Sequence, residues 1–298
     1  MYRPPFLKHG DKVAITAPAR CIEQVEIQFA VNVLESWGLQ VVLGDTIGKK
    51  NHQLSGTDTE RMKDFQRFLD DASVKAIFAA RGGYGTVRMM DNLLYTKFLD
   101  HPKWIVGFSD VTILHSHLNS VMGVQSLHAT MPVSFEKNTP EAIQSLKDAL
   151  FGQALEYHFP AHPLNRNGEM HGEVVGGNLS LLYSLLGTKT LLLTTGKILF
   201  LEDLDEYLYH IDRMITALKR AGKFQGIAGL IVGGMTDMND NRMPWGKTAE
   251  EIIREHVEEL SFPVCFGFPA GHIDDNRSIV LGREARVLVG GSECFFKG

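Results

Sequence analysis

The stretch Trp104-Ile105-Val106-Gly107-Phe108-Ser109-Asp110-Val111-Thr112 constrains this chain more than any other. Its first three residues form a short apolar run with the character of a buried strand. Gly107 interrupts the run, and Val111-Thr112-Ile113-Leu114-His115-Ser116-His117-Leu118 continues in a helical pattern. Ser109 therefore falls where a strand turns into a helix. Such a junction exposes a side chain at the carboxyl edge of a sheet and aims the helix's free N–H groups at whatever binds there. A nucleophilic serine needs both an exposed hydroxyl and backbone donors for an oxyanion. Ser109 and Asp110 are also favoured helix caps, so the junction alone leaves both roles open.

Around this junction the pattern alternates. Residues 11–16 read as a strand, and Ala17-Pro18-Ala19 turns the chain. Residues 23–37 carry Val25, Phe29, Val33, Leu34 and Trp37 at helical spacing, and Gly38 caps them. A strand at 40–43, a helix at 57–69 and a strand at 74–80 follow. The helix puts Met62, Phe65, Phe68 and Leu69 on one face. After Arg81-Gly82-Gly83-Tyr84-Gly85 comes a helix, then the strand leading to Ser109, a further helix and a strand at 124–128. Strands alternating with helices predict an α/β fold with a parallel, flavodoxin-like sheet, whose ligands sit beyond the carboxyl ends of the strands.

Residues 151–168 hold Pro160, Pro163, Asn165, Asn167 and Gly168 without a clear period. We read 151–167 as a linker between an N-terminal domain, 1–150, and a C-terminal domain, 168–298. The latter predicts helices at 178–186, 207–221 and 248–258, strands at 197–202, 227–232 and 264–266, and β-like segments at 278–281 and 285–289.

A net charge of −5 with no dense Lys/Arg cluster argues against nucleic acid as a partner. Cys21, Cys265 and Cys294 make neither a CxxC pair nor a zinc spacing, which favours a reducing compartment. No apolar run approaches membrane-spanning or signal-peptide length, so the expectation is a cytoplasmic protein without membrane contact.

Three further features bear on chemistry. The loop 81–85 follows a strand, and its glycines let backbone N–H groups approach a ligand or simply make a tight turn. It lacks both the Walker ending and the dinucleotide spacing. Glu202 ends the apolar strand 197–202 and opens the acidic string Glu202-Asp203-Leu204-Asp205-Glu206; Asp203, Asp205 and Glu206 fit a helix N-terminus. His272 lies on a Gly/Pro loop after a strand, and His128 also falls at a strand end. A metal set built on His272, Asp274 and Asp275 lacks further convergent ligands, so no metal is expected. Serine, glutamate and histidine in this order match the α/β-hydrolases, but the G-x-S-x-G elbow is absent.

With these segments in view, the chain resembles the LD-carboxypeptidase family of serine peptidases, which includes muramoyltetrapeptide carboxypeptidases and microcin C immunity hydrolases. The resemblance rests on ARGGYG at 80–85, GFSDVT at 107–112, GGNLSLL at 176–182, LFLEDLDEYLYHIDRM at 199–214 and GFPAGHIDDN at 267–276. Where the family often shows His-Gly-Pro-Met, this chain reads His128-Ala129-Thr130-Met131-Pro132. The resemblance implies Ser109 as nucleophile, His272 as general base, Glu202 as its orienting carboxylate, and an oxyanion hole from the N–H groups of Gly83 and Asp110. It also implies a C-terminal β-rich α/β domain, a site between the domains, a homodimer and no cofactor. The implied reaction is hydrolysis of an L,D-peptide bond, releasing a terminal D-amino acid from small murein tetrapeptides. Hydrolysis of a peptidyl-nucleotide antibiotic amide is the alternative within the family. A non-catalytic binder of a small ligand is the alternative outside it.

Overall fold

The computed structural model describes residues 1–298. Its first part runs β1 (Lys12–Thr16), α1 (Gln24–Ser36), β2 (Gln40–Leu43), α2 (Asp58–Asp70), β3 (Val74–Ala79), α3 (Thr86–Met90), α4 (Thr96–Asp100), β4 (Trp104–Gly107), α5 (Thr112–His117), β5 (Ser126–His128) and α6 (Pro140–Phe151). The second part runs β6 (Glu156–Pro160), β7 (Gly168–Asn178), α7 (Leu179–Ser184), β8 (Ile198–Leu204), α8 (Leu208–Arg220), β9 (Gly229–Thr236), α9 (Ala249–His256), β10 (Val264–Cys265), β11 (Ile279–Leu281), β12 (Glu284–Val289) and β13 (Glu293–Lys297).

The first sheet has the order β11-β5-β4-β3-β1-β2. Its five N-terminal strands are all parallel and follow the flavodoxin-like order 2-1-3-4-5. That order reverses between β1 and β3, so a crevice opens beyond their carboxyl ends. The second sheet has the order β10-β9-β8-β7-β12-β13-β6, parallel from β10 to β7 and antiparallel beyond.

Three readings change. Residues 156–160 lie within the stretch read as an aperiodic linker, yet they form β6 on β13, with Tyr157 and Phe159 buried and Glu156, His158 and Pro160 exposed. The C-terminal β11 leaves its sequence neighbours and closes the first sheet antiparallel to β5. In α1 the core face is Ile27, Ala30, Val31 and Leu34, while Val25 and Phe29 are 79% and 47% exposed. Both sets have helical spacing, and packing against β1 and β2 selected the second.

One apolar cluster of 40 buried residues runs from Val13 and Ile15 of β1 through Leu127 of β5 to Phe200, Phe268 and Val287, so the two sheets share a core. Their seam demands glycine. A Cβ at Gly176, where φ is +140°, would lie 1.9 Å from the Phe200 carbonyl oxygen, and one at Gly177 would lie 2.6 Å from Thr112 Oγ1. β7 can therefore run beside β8 and against α5 only without side chains at these positions.

Gly176→Ala should destabilise the protein by at least about 3 kcal/mol, since overpacking and positive-φ strain add. Gly123→Ala, at φ +66° in open space, should cost only about 1 kcal/mol. Urea denaturation of both variants checks this. Equal midpoints would show that the seam tolerates a side chain.

Candidate active site

β4 ends at Gly107, Phe108 is extended, and Ser109 takes φ +61°. A serine in the left-handed region costs about 1–2 kcal/mol, so the surroundings must hold it there. They do so from two sides. The Val111 N–H donates to the Phe108 carbonyl at 3.2 Å. Asp110, fully buried, accepts the Thr86 N–H on Oδ2 at 2.8 Å. Asp110 thus serves the first N–H of α3 rather than capping its own helix, and neither it nor Ser109 makes a capping bond at α5. Burial raises the Asp110 pKa, partly offset by its bonds to Thr86.

The loop 81–85 leaves β3 and passes alongside this turn. A Cβ at Gly82 would sit 3.1 Å from Ser109 Oγ, so a side chain there would press on the hydroxyl. Gly83 follows at φ +108°, and its N–H makes no hydrogen bond within the chain. Ser109 Oγ is likewise without a partner. Ser109, Gly82, Gly83 and His272 line one cavity of about 440 Å³.

The other wall comes from the second sheet. Glu202 is inside β8, wholly buried, and its Oε2 receives His272 Nδ1 at 2.6 Å and the His272 N–H at 3.2 Å. Gly271 allows this approach, because a Cβ there would fall 2.7 Å from Glu202 Cβ. The Asn276 side chain fixes the loop by accepting the Gly271 N–H at 2.8 Å. The imidazole also packs against Phe108, with ring centroids 4.7 Å apart, so the residue before Ser109 braces it. Burial alone would lower the His272 pKa; the charge and hydrogen bond of Glu202, helped by Asp203, outweigh it and raise the pKa.

Asp203 departs from its reading as a helix-end acid. β8 extends to Leu204, and Asp203 is a buried strand residue. Its carboxylate accepts Asn178 Nδ2 at 2.8 Å and the Ser180 N–H at 2.9 Å. Burial, then the charge of Glu202, pushes its pKa to about 7. Asn178 caps α7 and donates its own N–H to Thr112 Oγ1 at 3.0 Å. Asp205 and Glu206 keep their place at the α8 start, where Glu206 pairs with His210 at 2.5 Å.

Some candidates stand apart. His128 is buried behind the cavity against Phe108 and Phe200, without hydrogen-bond partners, and its pKa falls well below the ordinary value. Asp275 pairs with Arg277 at 2.9 Å, and no group of three or more His, Cys, Asp or Glu residues converges as a metal-ligand set. No helix is long and apolar enough to cross a membrane. Sequence reasoning missed Arg20, Thr112 and the roles of Asn178 and Asp203. Only Asn178 carries a local sign, an asparagine directly before a helix.

Residues 13–129 match the LD-carboxypeptidase N-terminal domain and residues 171–287 the LD-carboxypeptidase C-terminal domain. The chain is 33% identical over 289 residues to the probable murein peptide carboxypeptidase of Bacillus subtilis, covering 95% of this chain and 91% of that protein. It is 23% identical to the microcin C7 self-immunity protein of Escherichia coli over 312 residues, covering 92% and 89%. The fold is that of the muramoyltetrapeptide carboxypeptidase of Oxalobacter formigenes, with a TM-score of 0.87 at 24% identity over 96% of this chain and 98% of that one. With both domains matched in order, this chain belongs to the LD-carboxypeptidase family of peptidases.

Proposed function

We propose that this protein is a serine carboxypeptidase that hydrolyses an L,D-peptide bond and releases a terminal D-amino acid from murein-derived tetrapeptides. The observation that carries this reading is His272, backed by the buried Glu202, lining the same cavity as the strained Ser109. A neutral serine hydroxyl is a poor nucleophile at neutral pH, so a base must take its proton as the bond forms. With Nδ1 bound to Glu202, His272 offers Nε2 for that task. Ser109 Oγ attacks the scissile carbonyl, and His272 accepts the proton and passes it to the departing amine. Glu202 fixes the tautomer and stabilises the imidazolium. The N–H groups of Gly83 and Asp110 receive the oxyanion, each worth about 3 kcal/mol. Water then resolves the acyl-enzyme by the same route. Ser109 Oγ and His272 make no hydrogen bond in the free protein, and catalytic bonds of this kind often tighten only in the substrate complex.

In this reading residues 1–150 supply the nucleophile and residues 168–298 supply Glu202 and His272. The protein acts in the cytoplasm as a homodimer on small recycled peptides.

Purified protein should release D-alanine from a tetrapeptide ending in meso-diaminopimelate–D-Ala and cleave the all-L analogue far more slowly, as read by mass spectrometry. Ser109→Ala should abolish release and fluorophosphonate labelling while the fold persists. Hydrolysis of a peptidyl-nucleotide amide, with both peptides left intact, would favour the immunity reading instead. A protein that cleaves no amide and takes no label is a binder.

The pH profile tests the base. His272 must be neutral to accept a proton, so kcat/KM should fall as pH drops through a value above the ordinary imidazole pKa of about 6.5. Glu202→Gln removes the charge that raises this value. It should lower kcat by orders of magnitude and move the acid limb to lower pH. An unchanged limb would take Glu202 out of the pair's electrostatics.

A further inference from the structure

Two arginines, Arg20 and Arg81, line the cavity that holds Ser109 and His272. On the carboxypeptidase reading, one of them should meet the free carboxylate that defines the substrate. Arg81 is the obvious choice from sequence, because it opens the glycine loop. In the structure it is half-buried and turned aside, with Nη1 donating to the Cys21 carbonyl at 3.3 Å.

Arg20 is placed differently. It follows β1, at the switch point of the first sheet, and its backbone is held by a bridge to Leu54. Its stem lies on Gly83: a Cβ there would sit 2.1 Å from Arg20 Cδ and 2.5 Å from Cγ. The side chain is exposed to the cavity and makes neither a hydrogen bond nor an ion pair within the chain. An unpaired cation therefore stands beside the loop whose free N–H faces the reaction.

We propose that Arg20 binds the terminal carboxylate of the substrate and so sets the preference for a free C-terminus; this rests on the peptidase reading above. If the scissile carbonyl oxygen meets the Gly83 N–H, the terminal carboxylate carbon lies under about 4 Å from the scissile carbon by standard backbone dimensions. A guanidinium whose stem packs on Gly83 is in reach of that point and can hold a carboxylate with two parallel N–H donors. The opposite wall carries Asp205 and Glu206, which repel a second carboxylate and leave the arginine side as the favourable one.

The test uses the full chain and two peptides that differ only in a C-terminal carboxylate or carboxamide. Wild type should prefer the free acid by on the order of 100-fold in kcat/KM, the value of a charge-assisted pair. Arg20→Met should bring the ratio near one, chiefly through KM, whereas Arg20→Lys should keep part of it. Arg81→Gln should leave the ratio in place. An Arg20→Met protein that retains the wild-type preference, or an Arg81→Gln protein that loses it, overturns the assignment. If wild type cleaves neither peptide, the peptidase reading fails first and the assignment falls with it.

Discussion

The site depends on how closely the two sheets approach at β7. Thr112 is the first residue of α5, the helix that follows Ser109, and its Oγ1 accepts the Asn178 N–H. Asn178 holds Asp203, which is the neighbour of Glu202 in β8. Two consecutive hydrogen bonds thus connect the serine turn to the strand that carries the carboxylate. Gly176 and Gly177 make the approach sterically allowed. Because Thr112, Asn178 and Asp203 are buried and bonded to one another, a shift of one sheet would strand their polar atoms at about 1–3 kcal/mol each. The distance between the two halves of the site is therefore fixed by hydrogen bonding rather than by the connecting chain.

Against that frame the site spends stability in two places. Ser109 is held in the left-handed region, and Glu202 is a carboxylate without solvent exposure. Burying an isolated carboxylate costs several kcal/mol, and the His272 bond compensates only while the imidazole stays in place. Phe108, the Gly271 turn and Asn276 all restrict that imidazole. The strain lies on one wall of the cavity and the buried charge directly behind His272 on the other, which is where such costs are expected to concentrate in a working site.

Much of this was legible in the sequence because it is local. The parallel sheet follows from strands and helices alternating at short range, and Ser109 from a glycine-broken apolar run. What escaped is non-local. β7 reads poorly because Gly168, Gly172, Gly176 and Gly177 deplete it of β-favouring side chains, and those glycines exist for contacts with other elements. β6 hides among prolines and is stabilised by β13, more than a hundred residues away. Asp203 looked like a helix-end acid because nothing local marks where β8 stops. α1 offered two apolar stripes, and only the sheet beneath it decides between them.

The same distinction explains Arg20. A residue on the turn after the first strand carries no motif, and its relation to Gly83 arises from the reversal of strand order between β1 and β3. That reversal separates the two loops and opens a crevice, so the residues on either side face a ligand together. Gly83 must be glycine twice over, for its positive φ and for the arginine stem that occupies the space of its side chain. The cavity then has a cationic side built by the first sheet and an acidic side built by the second, with Ser109 and His272 between them. A ligand that satisfies both sides must carry its charges in one order along its length. Direction of binding in this fold is therefore encoded by which sheet each charge comes from.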